Sequence, residues 1–218
     1  MDKFVQIAID GPAAAGKSTI AKIVAKQLGY VYIDTGAMYR AITWAALKDN
    51  IDINDENEVM MLLNKTDIVL APEGKVVVNG LDISKQVREP EVTSLVSQIA
   101  TYASIRDELK KRQVALANSA NVILDGRDIG TNVLPDADYK FYMIADARIR
   151  ALRRYKENLE SGIESDLDLL EIEIKERDEM DIKREHSPLK RAKDAILIDT
   201  SKLSITEVVD KMVGFVLK

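Results

Sequence analysis

The 218-residue sequence contains no cysteine and only one histidine, His186. Without cysteine, the chain has no disulfide, no thiolate nucleophile, no iron–sulfur cluster and no cysteine-based zinc site. One histidine cannot form a multi-histidine metal site or a His-Glu-x-x-His pair, and no Gly-x-Ser-x-Gly elbow is present. These absences exclude many covalent and metal-dependent mechanisms before any motif is considered.

The charge and hydropathy of the chain exclude further classes of protein. The formal net charge is -5, which argues against general binding to nucleic acid. No apolar run approaches the ~18 residues of a membrane-spanning helix. The first ten residues have neither the basic region nor the cleavage site of a secretory signal. We therefore expect one cytoplasmic domain spanning residues 1–218 that does not bind membranes.

The order of apolar runs predicts an α/β fold. Runs typical of buried strands occur at residues 4–9, 30–33, 122–125, 140–144 and 196–199. Helices are predicted at residues 17–28, 34–48, 91–103, 104–119, 146–160, 167–183 and 204–217. Thr35 is a candidate N-cap for the second helix, and Ser204 with Glu207 has the spacing of a capping box. This order is typical of a three-layer fold with a five-stranded parallel sheet.

The middle of the chain departs from this pattern. Two short β-rich runs, at residues 67–71 and 75–78, are separated by Pro72-Glu73-Gly74, which is typical of a hairpin turn. A second turn, Asn79-Gly80, follows. Antiparallel strands inside a parallel α/β chain predict a small insertion, near residues 67–83, that lies off the main sheet.

The most specific motif is a phosphate-binding loop. Residues 11–18 match Gly-x-x-x-x-Gly-Lys-[Ser/Thr] at every defined position, between a predicted strand and a predicted helix. The backbone N–H groups of such a loop, and the N-terminus of the helix after it, bind nucleotide phosphates. Lys17 is expected to reach the β- and γ-phosphates, and Ser18 to ligate Mg²⁺.

A second nucleotide motif lies in the wrong context. Residues 64–67, Asn-Lys-Thr-Asp, match the guanine-reading motif of GTPases. In GTPases this motif follows a buried strand, whereas here Val59, Leu62 and Leu63 precede it at helical spacing. The chain also has no Asp-x-x-Gly motif. We therefore interpret residues 64–67 as a loop before the hairpin and not as part of a GTP-dependent switch.

Polar residues follow two predicted strands at their carboxyl ends, where open α/β sheets bind ligands. The second strand is followed by Thr35 and, one helical turn later, by Arg40. The third ends in Asp125, which Arg127 and Asp128 follow. Asp125 resembles the Walker B aspartate that holds Mg²⁺ through water. We expect these side chains to lie beside the phosphate loop.

Arginines are concentrated on two later helices. The first segment contains Arg148, Arg150, Arg153 and Arg154. On the second, Arg177, Asp181 and Arg184 are spaced to share one helical face. A solvated charged face is the ordinary interpretation of such a pattern. Guanidinium groups, however, bind phosphate oxygens bidentately, so repeated arginines in an acidic protein indicate a local anionic ligand. His186 lies at the end of the second helix, where the helix dipole stabilises a histidine, so we expect it to have a structural and not a catalytic role.

Four segments together resemble the bacterial cytidylate kinases, a family of the nucleoside monophosphate kinase group of P-loop kinases. They are residues 10–19, 34–40, 125–131 and 177–189, and the resemblance extends over essentially the whole chain. It implies a P-loop core, an acceptor-binding part at residues 35–120 that contains the insert, and a mobile lid at residues 148–162. Adenylate kinases have acceptor-binding helices in this region but no such hairpin.

The resemblance also implies a role for each matching residue. ATP would be bound by Gly11, Pro12, Ala13, Ala14, Ala15, Gly16, Lys17, Ser18 and Thr19. CMP would be bound by Thr35, Arg40, Ser97, Arg106, Arg127, Asp128, Arg177, Asp181 and Arg184. The catalytic residues would be Lys17, Arg127, Arg153, Arg154 and Arg177. Mg²⁺ would be held by Ser18 and, through water, by Asp125.

The implied reaction is transfer of the γ-phosphoryl group of ATP to CMP or dCMP by a monomer. The acceptor phosphate is already ionised at neutral pH, so catalysis needs alignment and charge neutralisation but no general base. Another P-loop kinase of small molecules, such as an adenylate or shikimate kinase, is the nearest alternative. The hairpin and the Gly126-Arg127-Asp128 segment argue against it.

Overall fold

A computed structural model describes residues 4–71 and 74–217 of the chain. Its strands and helices, in chain order, are β1 (Gln6–Asp10), α1 (Lys17–Leu28), β2 (Val31–Asp34), α2 (Thr35–Lys48), α3 (Glu56–Lys65), β3 (Ile68–Ala71), β4 (Lys75–Val78), β5 (Leu81–Asp82), α4 (Pro90–Ile99), α5 (Ala103–Ala117), β6 (Val122–Gly126), β7 (Tyr139–Ile144), α6 (Ala147–Glu160), α7 (Leu167–Lys183), β8 (Ile196–Asp199) and α8 (Ile205–Val216). A 3₁₀ turn lies at Gln86–Arg88 and a π-helical turn at Ile129–Val133.

The main sheet has five parallel strands in the order β2-β6-β1-β7-β8. Successive side chains of a strand point to opposite faces, so one strand serves two cores. In β1, Ile7 and Ile9 pack with α1 and α8, whereas Ala8 packs on the other face near the end of α5. The predicted three-layer fold with a five-stranded parallel sheet is therefore confirmed.

The predicted insertion lies off this sheet, as a small antiparallel sheet in the order β3-β4-β5. Its apolar face packs on α2, where Val76 and Val78 belong to one buried cluster with Ala37 and Ala41. The third strand, β5, is a difference from the predicted hairpin. In the predicted turn, Pro72 and Glu73 lie outside the described residues.

Several element boundaries differ from the predictions because tertiary pairing extends or ends them. The strand predicted at residues 4–9 is β1, which continues to Asp10 because Asp10 still pairs with Gly126 of β6. The helix predicted at residues 91–103 ends at Ile99. The capping box of Ser204 and Glu207 is confirmed at α8. No helix among the described residues is long and apolar enough to cross a membrane.

The prediction that Thr35 caps the second helix was wrong. Asp34 is the N-cap of α2, and its carboxylate accepts a hydrogen bond from the Ala37 N–H at 2.8 Å. Thr35 is the first helical residue, and its hydroxyl donates to the Asp125 carbonyl oxygen at 2.7 Å. The hydroxyl therefore joins α2 to the neighbouring strand β6.

Candidate active site

A cleft of about 1350 Å³ opens at the carboxyl edge of the main sheet. The phosphate loop, the α2 and α4 helices, the segment after β6 and the α6–α7 pair all contribute to its walls. All of the site residues predicted from the sequence line this cleft, except Gly11 and Pro12. Gly11 and Pro12 are buried at the start of the phosphate loop and do not line the cleft.

The phosphate loop joins β1 to α1 with little room for side chains. Gly11 has φ +149, and a Cβ atom there would lie 2.1 Å from the carbonyl oxygen of Met143 in β7. Only glycine tolerates this close approach between two backbones. The Lys17 ammonium donates to the Pro12 carbonyl oxygen at 2.7 Å. Burial, followed by repulsion from Arg127, lowers the pKa of Lys17 to about 7.

Ser18 and Asp125 lie together at the start of α1, as the sequence predicts. The Ser18 hydroxyl donates to Asp125 Oδ2 at 2.8 Å, and the Tyr32 hydroxyl donates to Oδ1 at 2.8 Å. Burial, together with the nearby charge of Asp34, raises the pKa of Asp125. One hydroxyl and one carboxylate beside a phosphate loop fit Mg²⁺, which keeps several waters and takes phosphate oxygens as further ligands.

Tyr32 was not identified from the sequence as a site residue. It lies in β2, whose short apolar pattern predicts a strand but not that the Tyr32 hydroxyl bonds to Asp125.

Asp128 lies at the centre of a buried group of charges. The Arg106 guanidinium donates to Asp128 Oδ2 at 2.6 Å, and Arg184 Nη2 lies 3.6 Å from Oδ1. Asn132, which the sequence did not single out, donates to Oδ2 at 3.0 Å. The Arg106 guanidinium also lies 5.6 Å from the centre of the Tyr39 ring. The structure thus places a residue of α5 beside the segment that follows β6.

A second group of charges surrounds Asp181. Its Oδ2 accepts a hydrogen bond from Arg127 Nε at 2.9 Å, and its Oδ1 lies 3.3 Å from Arg184 Nη1. Burial alone would raise the pKa of Asp181, but Arg127, Arg177 and Arg184 outweigh it, so the pKa is lowered. Arg184 is the C-cap of α7, which ends at Lys183 as predicted, and its guanidinium lies beside Asp181.

Several arginines of the cleft bury guanidinium nitrogens that make no hydrogen bond. Within the described residues, four buried arginine nitrogens that make no hydrogen bond belong to cleft-lining side chains: Arg40 Nε, Arg106 Nε, Arg177 Nε and Arg184 Nη2. Buried donors without partners are rare in folded proteins and need an explanation. Burial, followed by the charge of Arg127, lowers the pKa of Arg177 to about 10. This arrangement is suited to an anion that accepts several hydrogen bonds.

Arg40 and Ser97 both line the cleft. Arg40 forms an ion pair with Asp34 at 2.9 Å, and Ser97 is a buried residue of α4 at the cleft wall. Arg88 was missed, although it also lines the cleft, with Nη2 at 3.9 Å from Asp34. No motif surrounds Arg88 in the sequence, and only the packing of the insert places it there.

The arginines of α6 have different environments. Arg153 donates to the carbonyl oxygens of Ala15 at 3.3 Å and Thr200 at 2.8 Å, whereas Arg154 lies 3.6 Å from Glu157. Arg150 donates to the Ala13 carbonyl oxygen at 3.1 Å and pairs with Asp178 of α7 at 2.6 Å. Arg148 is half exposed and pairs with Asp168 and Glu171 at the surface.

Two other predictions concern residues outside the cleft. Residues before the motif are helical, as predicted, but the loop assigned to residues 64–67 was wrong in its first half: Asn64 and Lys65 are the last residues of α3, and only Thr66 and Asp67 form the loop. His186 is exposed and does not line the cleft.

Apolar residues after β8, namely Leu203, Ile205 and Val208, line the cleft and were missed. Applying the strand-end rule to β8 would have found this region.

Comparison with known proteins identifies the family. A family model described as cytidylate kinase matches residues 7–218 of the chain. The chain belongs to the cytidylate kinase family. It is 52% identical to the cytidylate kinase of Oceanobacillus iheyensis, over 100% of this chain and 96% of that protein. It is also 52% identical to the cytidylate kinase of Bacillus anthracis, over 100% and 98% of the two chains.

Solved structures of distant proteins share the fold. The crystal structure of shikimate kinase from Bacteroides thetaiotaomicron has a TM-score of 0.50 at 12% identity, over 98% of this chain and 99% of that one. An uncharacterized protein from Eubacterium ventriosum has a TM-score of 0.54 at 12% identity, over the same shares. These likenesses concern the fold alone. Membership of the cytidylate kinase family makes the chain a phosphotransferase that uses ATP and phosphorylates CMP and dCMP.

Proposed function

We propose that this cleft transfers the γ-phosphoryl group of ATP to CMP or dCMP, with the donor at the phosphate loop and the acceptor among the arginines. The observation that carries the assignment is the set of buried guanidinium nitrogens without partners, opposite a loop with the phosphate-binding motif. Phosphoryl transfer between two nucleotides requires two anion-binding sites in one cleft.

The donor end is assigned to residues 13–19 and to the apolar wall after β8. Backbone N–H groups of the loop bind the phosphates, and Lys17 moves from the Pro12 carbonyl oxygen to the γ-phosphate. Leu203, Ile205 and Val208 supply apolar surface for the donor base. Ser18 and Asp125 would hold Mg²⁺, which would neutralise part of the negative charge of the transferring phosphate.

The acceptor end is assigned to the arginines and carboxylates. Arg40, Arg127 and Arg177 bind the acceptor phosphate, and Asp181 faces its sugar. Asp128, with Arg106 and Ser97, binds the base. The amino group of cytosine donates to a carboxylate, whereas uracil presents a carbonyl oxygen at the same position, which a carboxylate repels. A base that leaves buried polar groups unpaired is bound less tightly.

The lid is assigned to residues 148–162, which form most of α6 and the turn after it. Closure would exclude water, which otherwise competes with CMP as acceptor. Arg153 already donates to two backbone carbonyl oxygens, whereas Arg154 makes a longer ion pair with Glu157, at 3.6 Å. We therefore assign Arg154 to the phosphates and Arg153 to support of the loop.

The assignment is tested by ADP release with ATP and a panel of acceptors: CMP, dCMP, UMP, AMP, GMP and shikimate. We expect CMP and dCMP to stimulate release most, EDTA to abolish it and Mg²⁺ to restore it. The absence of stimulation by CMP and dCMP would contradict the proposal. GTP hydrolysis without any acceptor would favour a switch protein instead.

The monomeric state and the cytoplasmic location stay predictions. Sedimentation velocity in the presence of both nucleotides measures the oligomeric state.

A further inference from the structure

Asp10 directly precedes the phosphate loop, yet its carboxylate bonds to a different part of the cleft. Oδ1 accepts a hydrogen bond from the Ile129 N–H and Oδ2 from the Gly130 N–H, both at 2.7 Å. The residue is only 3% exposed. Both bonds cross from the end of β1 to the turn that follows β6.

The segment held by these bonds carries the residues assigned to the acceptor. Arg127 and Asp128 lie between Gly126, which pairs with Asp10 in the sheet, and the Ile129 N–H, which Asp10 accepts. The segment is therefore fixed to β1 at both ends. Because Asp128 lies only 2.6 Å from Arg106, a small displacement of Ile129 would disturb this pair.

A side chain at Gly130 would contact both Asp10 and Lys140. A Cβ atom at Gly130 would lie 3.4 Å from Asp10 Oδ2 and 3.2 Å from Lys140 Cδ. The Lys140 ammonium is held elsewhere, by the Pro135 carbonyl oxygen and by Asp194. Burial raises the pKa of Asp10 to about 6, and the two N–H donors oppose this shift. One N–H donor on each carboxylate oxygen fits the ionised form of Asp10, which can accept both bonds.

We propose that Asp10 is a positioning residue for the acceptor nucleotide: it holds Arg127 and Asp128 in place, although its position in the sequence associates it with the donor loop. The proposal rests on the assignment of CMP to this end of the cleft. A role confined to the phosphate loop would affect ATP, whereas the observed bonds predict an effect on CMP.

The test replaces Asp10 by asparagine, which keeps the shape but turns one acceptor into a donor that faces a backbone N–H. We expect the KM for CMP to rise about tenfold, the loss of one hydrogen bond to a charged group. The KM for ATP should change less than twofold. The affinity for CMP alone, measured by calorimetric titration, should fall in parallel, and the preference for CMP over UMP should decrease.

Asp55→Asn is the matched control. Asp55 also accepts two backbone N–H groups, from Asn57 at 2.8 Å and Glu58 at 3.2 Å, but it caps α3 away from the cleft. Its substitution should change neither KM. Gly130→Ala disturbs the same contact from the other side, and it decides the question by the same ratio of KM values if Asp10→Asn does not fold.

The outcomes separate this inference from the proposed function. If the wild type does not phosphorylate CMP, the proposed function fails. If the wild type is active and the substitutions at Asp10 and Gly130 leave the KM for CMP unchanged, or raise both KM values equally, only the role of Asp10 is overturned.

Discussion

The two ends of the cleft are built in different ways. The part of the donor end assigned to the phosphates is mostly one stretch of chain, residues 11–19, whose ligand groups would be mainly backbone N–H groups. The acceptor end takes side chains from α2, α4, α5, the segment after β6, and α7. A loop that binds through its own backbone needs only its local conformation. An arrangement of side chains from five elements exists only when the whole domain has folded.

The acceptor end also contains more buried charge. Asp128 and Asp181 lie among Arg106, Arg127 and Arg184, and each carboxylate faces more than one guanidinium. Buried ion pairs cost desolvation energy that their attraction only partly offsets, so they contribute little net stability. Their arrangement instead orients groups before the ligand arrives, which is the preorganisation that electrostatic catalysis uses.

The largest expected effect is at the donor end. Lys17→Met removes the positive charge assigned to the γ-phosphate, and we expect kcat to fall about 10²–10³-fold, the range for loss of one preorganised donor. Steady-state ADP release with CMP measures it. Lys26→Met is the control, because Lys26 is an exposed residue of the same helix. An unchanged kcat in Lys17→Met would separate the loop from catalysis.

The next effect concerns Arg150, which joins the two ends because it contacts Ala13 in the donor loop and Asp178 in α7. Arg150→Met leaves the Asp178 carboxylate without this partner in a buried site, so the free energy of unfolding should fall by about 3–5 kcal/mol. Urea denaturation measures the change.

Arg148 provides the comparison for Arg150 on the same helix. Its ion pairs are at the surface, where such pairs contribute about 0–1 kcal/mol. Arg148→Met should therefore leave the urea midpoint nearly unchanged. Equal midpoints for the two variants would mean that Arg150 does not connect the loop to α7.

A smaller effect, confined to the acceptor end, is expected from Asp128→Asn. A charged hydrogen bond to the base is lost, so kcat/KM for CMP should fall about 10- to 100-fold, while the KM for ATP is retained. Asp136→Asn, an exposed carboxylate before β7, should change neither value. If acceptor dependence were the same in both variants, Asp128 would not belong to the base-binding end.

The smallest effect is the pH dependence caused by Asp10. Its pKa in the folded protein, about 6, is above the ordinary value of 3.8 because of burial. Folding therefore favours the protonated form, and the stability that this contributes is lost as pH rises through 6. Relative to Asp10→Asn, the wild type should lose about 1 kcal/mol of unfolding free energy between about pH 5.5 and 7.5.

Urea denaturation of both proteins at each pH measures this difference and cancels the contribution of other carboxylates. Asp34 and Asp181 act in the opposite sense, because their arginine neighbours lower their pKa values. If the unfolding free energy of the wild type minus that of Asp10→Asn increased with pH, this would contradict a raised pKa for Asp10. The expected loss means that ionising the buried Asp10 carboxylate, which accepts both backbone bonds, lowers the free energy of unfolding.

Comparison of the sequence predictions with the structure follows the same division between the two ends. The loop, α1 and the strand before them were predicted from a contiguous motif, and Ser18 lies beside Asp125 as expected. Thr35 was assigned as a cap because its residue type fits one. Asp34 fits equally well, and the position of the Ala37 N–H decided between them. Tyr32 and Arg88 had no motif that would distinguish them.

The arginines of α6 illustrate what residue type alone leaves open. Arg148 and Arg150 are two positions apart and chemically identical, yet one is at the surface and the other is buried between the donor loop and α7. Helical geometry turns side chains two positions apart to different faces. Which of those faces is buried depends on the packing of α6 against the loop and α7.

The sequence by itself determined the parallel α/β order, the small antiparallel insert, the phosphate loop and the four segments that resemble a family. These depend on local periodicity, on turn residues and on a motif whose ligand groups belong to consecutive residues. Only the tertiary structure decided which arginines have partners, which bury donors without them, and that Asp10 holds the segment after β6. Those properties depend on distances between residues far apart in the chain, and only the folded packing sets these distances.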